Sequence, residues 1–449
     1  MTGRIHQWPS WPEFGVENSL SSDRYSVSEP NQTYNDKYYQ EAKKAVITEY
    51  GPENLKEAWI RVCKQLESVT NEIISQGTGI IPVCSADAVE KGFSLEELAR
   101  IKKTGCVVVR EVIPKEEARA IYKEIHNYIK DNRDVICSWP ADAPYMFEVY
   151  DSPMQNAIRS NPRHLKLQRL LNNVWHYNTT EGDTSSDPLI FYDGVRDRPP
   201  GQYFLGLGPH IDAGSLARWS GPKYRKVYEA IFSGHPEDYD AWDLEIRKEA
   251  EQDFYKAPPH TRVLRSFQGW TALTSSGRRE GCILLYPNIK SSIAYVLLRP
   301  FFRPPKDEAD IMNASKWTFD DSDSTHFFPG SDIEQSQRLS RSSHPHLRLE
   351  ECLVHVPQID PGDTVWWHTD LCHAVDPEQT GAEHASVAFI PSCPTTSVNK
   401  VYVKKQLEDT LAGRQPEDMQ GKVNEQLFKG YQKHTVLSEE ARRAFGYYF

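Results

Sequence analysis

Apolar residues at Leu55, Trp59, Val62, Leu66, Val69 and Ile73 step by three and four, so the spacing predicts an amphipathic helix that stops near Gly77. Ser94-Leu95-Glu96-Glu97 has the form of a capping box at the head of a short helix, and the β-rich run 105–110 follows it. Pro114 suits the first turn of a helix over 115–131, with Ala118, Ile121, Ile125 and Tyr128 on one face. A further helix is expected over 162–175, and 188–192 reads as a buried strand.

The texture then changes. Residues 215–260 are charged and rich in Trp and Tyr, broken by Gly221-Pro222 and Pro258-Pro259, and read as a helical insertion. Strand signals follow at 264–273, 281–287 and 293–302, resume at 353–357, turn at Pro361-Gly362-Asp363 and end at 386–391. Short strands separated by turns point to an antiparallel barrel or jelly roll rather than to alternating β-α units. The expected class is mainly β with helical additions. The expected layout is a loose arm over 1–35, a helical N-terminal layer over 36–180, a β core over 181–396 and a weakly helical tail over 397–449. Within the core, 215–260 and 303–345 are inserts, the second a surface loop rich in Ser, Asp and Pro.

Composition narrows the class. A chain of 449 residues buries a large core. Its net charge of −11 argues against a nucleic-acid or anionic-membrane surface, and a small-molecule substrate fits better. The eight Cys form no Cys-x-x-Cys pair, and they read as reduced, mostly buried thiols. No apolar run reaches signal or membrane-spanning length, so a cytoplasmic protein is expected.

The candidate chemistry lies in two short segments. A His and an Asp two positions apart on an extended chain project to the same side. His210-Ile211-Asp212 has this form, and so does His368-Thr369-Asp370. Either match alone fits a solvated polar strand end. Context separates them, because His210 follows a Gly- and Pro-interrupted run suited to a strand entering a rim. His368 and His373, five positions apart on one segment, point to opposite faces of an extended strand. His210, Asp212 and His373 are therefore the expected metal ligands. Two imidazoles and one carboxylate on one face of an octahedron leave the other face open for a co-substrate and O₂, the arrangement of non-haem Fe(II) oxygenases. Arg196 and Arg198 stand on the approach to His210, where basic groups would meet an anion if they are not simply solvated.

With these residues the chain resembles the Fe(II)/2-oxoglutarate-dependent dioxygenases, and within them the phytanoyl-CoA dioxygenase-like group. The segment from Thr104 to Arg110 with the Ile113-Pro114 helix, the run from Gly281 to Pro287, and Pro361-Gly362-Asp363 ten positions before His373 carry the likeness. The stretches His210 to Ser215, Arg265 to Leu273, Leu298 to Phe302 and Trp366-Trp367-His368 resemble an uncharacterised branch known only as a domain of unknown function. The resemblance implies a double-stranded β-helix with Fe(II) and 2-oxoglutarate. It also implies oxidation, by O₂, of a second, small-molecule substrate with release of succinate and CO₂.

One position departs from the pattern. Many relatives place an Arg-x-Ser about eleven residues after the distal His to bind the far carboxylate of the oxoacid, and here His384-Ala385-Ser386 stands there. His384 with Ser386 is one replacement. Arg265 is the stronger one, on the strand that also carries Trp270. On a regular strand Arg265 and Trp270 face opposite ways, so both face inward only with a bulge near Gly269. Arg218 and Trp219, soon after Asp212, are candidate substrate contacts, with core packing an equal reading for Trp219. Two other functions compete: a cupin-type isomerase or hydrolase that keeps the triad but uses no oxoacid, and a non-catalytic scaffold on a decayed barrel.

Overall fold

The computed structural model describes residues 3–5, 7–13, 32–178, 183–212, 214–257, 260–321, 327–419, 423–434 and 437–449. Most of the expected N-terminal arm, 14–31, lies outside the described residues. Among the described residues no helix is long and apolar enough to cross a membrane. All eight cysteines are free, and only Cys137 is exposed.

The N-terminal third is helical where the periodicity said it would be. Helix α1 (Gln32–Tyr50) leads into α2 (Pro52–Gln76), which carries Pro at its first turn, ends at Gly77 and buries Leu55, Trp59, Val62, Leu66, Val69 and Ile73. Helix α3 (Leu95–Thr104) opens on the Ser94–Glu97 capping box, both reciprocal bonds being made. Strand β1 (Cys106–Val109) is fully buried, and α4 (Lys115–Asp131) lays Ala118, Ile121, Ile125 and Tyr128 against the body.

One expected strand is a helix. The apolar run 293–302 predicts a strand, yet α5 (Ile289–Leu298) occupies most of it. Every one of its residues from Ser291 on is buried, so no polar face marks the helical period. The signal that decides it is local: Asn288 caps the helix by accepting from Ser291 N at 3.0 Å. Trp59 of α2 stacks on Phe302 just beyond, with centroids 4.4 Å apart. Helices occupy more of the chain than strands do, so the expectation of a mainly β class is corrected to a mixed fold.

Among the described residues two large sheets, beside two two-stranded pairs, form the rest of the core. The larger contains, in order, Val83–Cys84, β1, β7 (Thr364–His368), β4 (Phe267–Ala272), β9 (Ala385–Phe389), β2 (Val195–Arg198), Met146–Phe147 and Ser138–Trp139. The smaller contains Gln337–Arg338, β3 (His210–Ile211), β8 (His373–Val375), β5 (Ile283–Leu285) and β6 (Val354–His355). From β2 to β9, with Gln337–Arg338 falling between β5 and β6, the chain passes between them: large, small, large, small, small, small, large, small, large. Except at the terminal Val83–Cys84 pair, every pairing in the two sheets is antiparallel.

Register decides which side chains face between the sheets. Trp367 pairs with Gln268, Val365 with Trp270, Phe389 with Trp270 and Val387 with Arg196. Gln268, Trp270, Trp367, Phe389 and Arg196 all line one cavity, together with His210, Ile283, His373 and Val375 from the smaller sheet. The alternate residues face outward, where Val195 and Ala388 join Ile121 and Ile125 of α4 in a second apolar cluster. Gly269 lines the cavity with its backbone, and a Cβ on its outer side would lie 2.3 Å from the Trp366 indole.

Candidate metal centre

The short strand β3 pairs with β8 such that His210 and His373 are direct partners. Their rings lie 4.2 Å apart between centroids. Asp212 follows β3 and closes the group, with Oδ1 3.5 Å from His210 Nε2 and Oδ2 3.3 Å from His373 Nε2. One ligand atom from each residue lies within 4.8 Å of the others.

The second contacts of these residues fit a metal rather than a chance cluster. His210 Nδ1 is 2.7 Å from Gly208 O, and His373 Nδ1 is 3.0 Å from Leu371 O. A carbonyl only accepts, so each Nδ1 carries the proton and each Nε2 keeps its lone pair toward Asp212. Gln268 Nε2 donates to Asp212 Oδ2 at 2.7 Å and Ser336 Oγ to Oδ1 at 3.3 Å. Trp367 Nε1 donates to Gln268 Oε1 at 2.9 Å, which fixes the amide with its NH₂ group toward the carboxylate. Burial, followed by the neighbouring His373, pushes the His210 imidazole down to about 4. Burial works against the Asp212 carboxylate, but His210, His373 and Arg265 outweigh it and hold the group well below the usual range. The site therefore presents a neutral His210 imidazole and an anionic Asp212, with the Nε2 of His373 turned to the same carboxylate, a set that suits a divalent ion.

The cavity around the triad holds about 390 Å³. A larger cleft of about 980 Å³ lies on the surface between Arg169, Asp187 and Lys400, and it contains no such constellation among the described residues. Two cations face the triad's cavity. Arg265 is half-buried, with its guanidinium 5.9 Å from the Phe191 ring centroid. Arg196 is wholly buried, and its Nε and Nη2 have no hydrogen-bond partner.

Arg265 and Trp270 both line the cavity, without the expected bulge. Strand β4 pairs with β7 in unbroken register from Phe267 to Thr271, and Arg265 belongs to the irregular segment before it, where strand parity does not apply. His384 and Ser386 are elsewhere. Ser386 pairs with Asp197 on the outward face of the larger sheet, and His384 stands 3.2 Å from Asp197 Oδ1. Neither lines the cavity, where Arg265 and Arg196 stand.

Arg218 and Trp219 also lie away from the cavity. Trp219 is fully buried and donates from Nε1 to Leu297 O at 2.8 Å. Arg218 is buried against Asp370 at 3.2 Å. The inserts do reach the site, through His260 at the cavity wall and Ser336 on Asp212. The C-terminal tail, in which the sequence shows no motif, adds Asp418 and Met419 to the lining. Arg196 was noticed in the sequence only as a basic group on the approach to His210. Its strand parity against β9 is the signal that singles it out.

Residues 34–447 match a family model described as Gig2-like. The chain is similar to an uncharacterised protein of Escherichia coli K12, YbiU, with 29% identity over 84% of this chain and 87% of that one. Among solved structures it is similar to hypothetical protein JW0805 of Escherichia coli. The identity is 27% and the TM-score 0.77, covering 94% of this chain and 98% of that one. The product of GlcNAc Inducible Gene 2 of Candida albicans shares the fold, with a TM-score of 0.80 at 24% identity over 91% and 88% of the two chains. A Salmonella typhimurium LT2 protein provisionally described as an oxidoreductase has 25% identity and a TM-score of 0.78 over 94% and 98%.

Proposed function

The chain belongs to the Gig2-like family, and we propose that it is a non-haem Fe(II)/2-oxoglutarate-dependent oxygenase acting on a small molecule in the cavity between its two sheets. The strand path supports a double-stranded β-helix: nine strands, β2 to β9 with Gln337–Arg338 among them, pass between two sheets around one interior. The observation that carries the reading is the pairing of a His-Asp-His triad with a buried, unpartnered guanidinium in one cavity.

The donor set fits Fe(II), with His210 and His373 offering Nε2 and Asp212 a carboxylate oxygen. When bound, Fe(II) with 2-oxoglutarate and O₂ supplies oxidative decarboxylation of the oxoacid to succinate and CO₂, coupled to hydroxylation of a second substrate. The protein's own share is placement. Gln268 and Ser336 hold Asp212 from outside the ligand set, and Trp367 holds Gln268. Arg196 is the group for the distal carboxylate. A buried guanidinium without a partner is costly, and a bidentate carboxylate relieves that cost. Arg265 is the weaker choice because Asp193 and Asp212 already share its charge, whereas no carboxylate acts on Arg196. The anchor thus sits one strand over from the place left by His384, on β2 where it pairs with β9. Trp270, Ile283, Val375 and Phe389 supply apolar walls that exclude water and take the carbon skeleton of the substrate.

Anaerobic addition of 2-oxoglutarate to the Fe(II)-loaded protein tests this. A visible charge-transfer band is expected. Fe(II) uptake without the band would instead support the metal-dependent isomerase or hydrolase. A screen of metabolites for 2-oxoglutarate-dependent succinate release then finds the substrate class.

A further inference from the structure

The cavity wall carries a second cluster of ligand-type residues on its outer side. On β2 the alternation that turns Arg196 inward turns Asp197 outward toward α4. There His126 of α4 brings Nδ1 to 2.8 Å from Asp197 Oδ2, and His384, just ahead of β9, brings Nδ1 to 3.2 Å from Oδ1. The imidazoles stand edge to face, with 5.1 Å between centroids. Each addresses a different oxygen, and one donor atom from each residue lies within 4.8 Å of the others.

An ordinary hydrogen-bonded cluster would satisfy its buried atoms, and this one does not. The Asp197 side chain is 5% exposed, and its Oδ1 and the buried His384 Nδ1 lie at ion-pair distance, 3.2 Å, without the alignment of a hydrogen bond, and neither has another hydrogen-bond partner. Among the described residues no Lys or Arg pairs with Asp197, so the carboxylate lacks a fixed positive charge. Glu383 stands next to the cluster but is taken up by Ser275 N at 3.2 Å and Arg119 at 3.7 Å. The side chains of His126 and His384 are 38% and 30% exposed, which leaves an ion and its water a way in.

We propose that His126, Asp197 and His384 form a second divalent-cation site, of the Zn(II) type, separate from the triad inside the wall. Two imidazole nitrogens and one carboxylate oxygen are a zinc donor set that keeps a fourth position for water. An ion there ties α4 to β2 and to the segment entering β9, and so fixes from behind the strand that carries Arg196. The proposal stands whether or not the cavity uses 2-oxoglutarate, because it involves none of the cavity's residues.

Full-length protein carrying Asp212→Ala and His373→Ala, in which the inner triad is disabled, is loaded with Zn(II) or Co(II) and desalted. One tightly held equivalent is expected, with visible d–d bands for Co(II), and both are lost when His126→Gln and His384→Gln are added. No retained metal, or metal unchanged by the two added substitutions, would overturn the site and leave a plain His-Asp-His cluster. Should the inner-triad variant not fold, the same comparison runs on the wild type, where His126→Gln with His384→Gln must remove one equivalent of zinc. Unchanged zinc content in that pair overturns the proposal equally.

Discussion

His210-Ile211-Asp212 and His368-Thr369-Asp370 are the same pattern put to opposite uses. Around Asp212 the neighbours are neutral donors, Gln268 and Ser336, and two imidazoles whose Nε2 atoms converge on it. Around Asp370 they are fixed cations: Arg247 reaches it at 2.6 and 2.9 Å, Arg218 at 3.2 Å, and Tyr228 adds a hydroxyl at 3.0 Å. Burial disfavours the Asp370 charge, but Arg247 and Arg218 overcome it and hold the carboxyl far below the usual range. Its partner His368 stacks on Trp175 at 4.8 Å and engages Ala241 O at 2.9 Å and Asp370 N at 3.0 Å, so both ring nitrogens are spent. A carboxylate already neutralised by two guanidinium groups has no charge left for an ion, whereas Asp212 has. The two segments are also joined, because Arg218 donates to Asp212 O at 3.2 Å as well as to Asp370. The segment around Asp370 thus braces the one that carries Asp212.

The largest expected effect separates the two segments outright. His210→Ala, Asp212→Ala and His373→Ala each lose Fe(II) retention, while His368→Ala keeps it, as read by metal content of the purified variants. The reverse pattern, an empty site in His368→Ala and a full one in His210→Ala, would exchange the roles assigned here. Next comes Asp370→Ala, which strands two buried guanidinium groups and is expected to cost about 3–5 kcal/mol in denaturant unfolding. Through Arg218 it also weakens Fe(II) binding by about tenfold, the lower end for an outer support of a metal site. A stability loss under about 1 kcal/mol would show that the network is not the brace described.

Stability against pH sharpens the contrast from the His368 side. Burial pushes this imidazole down to about 4 from its ordinary 6.5, so the folded protein keeps it neutral while the unfolded chain takes up a proton. Its contribution is complete above pH 6.5 and is lost as pH falls toward 4. His368→Gln is expected to flatten the stability curve in that window. An unchanged slope would mean that other buried histidines govern the acid limb.

Smaller effects concern the far end of the cavity. Arg196→Ala is expected to raise the 2-oxoglutarate requirement tenfold or more, since a lost charge-assisted pair costs roughly 1.5–3 kcal/mol. Arg265→Ala should do less, and His384→Ala, which reaches Arg196 only through the strand behind it, less still. A titration of the charge-transfer band in each variant reads all three. If Arg265→Ala has the larger effect, the anchor is the half-buried cation and Arg196 serves the wall.

Much of this was legible in the chain. The three- and four-residue steps from Leu55 to Ile73 gave a helix because a long amphipathic face must be written in the sequence before it can be buried. Residues 293–302 misled because α5 is buried on all sides, and a uniformly apolar run carries no period. Asn288, its cap, was the readable exception.

The sequence by itself determined the ligand types and their local spacing: a His and an Asp at i and i+2, a lone His far downstream, and a basic pair ahead of them. Only the tertiary structure decided which His-x-Asp meets two guanidinium groups and which meets a third ligand, because those partners come from strands and helices remote in the chain. The same holds for the basic residues. Adjacent positions on β2 place Arg196 inside the cavity and Asp197 outside it. Strand alternation makes neighbours in sequence opposites in space, and which side is interior is fixed by closure of the two sheets rather than by any residue of β2.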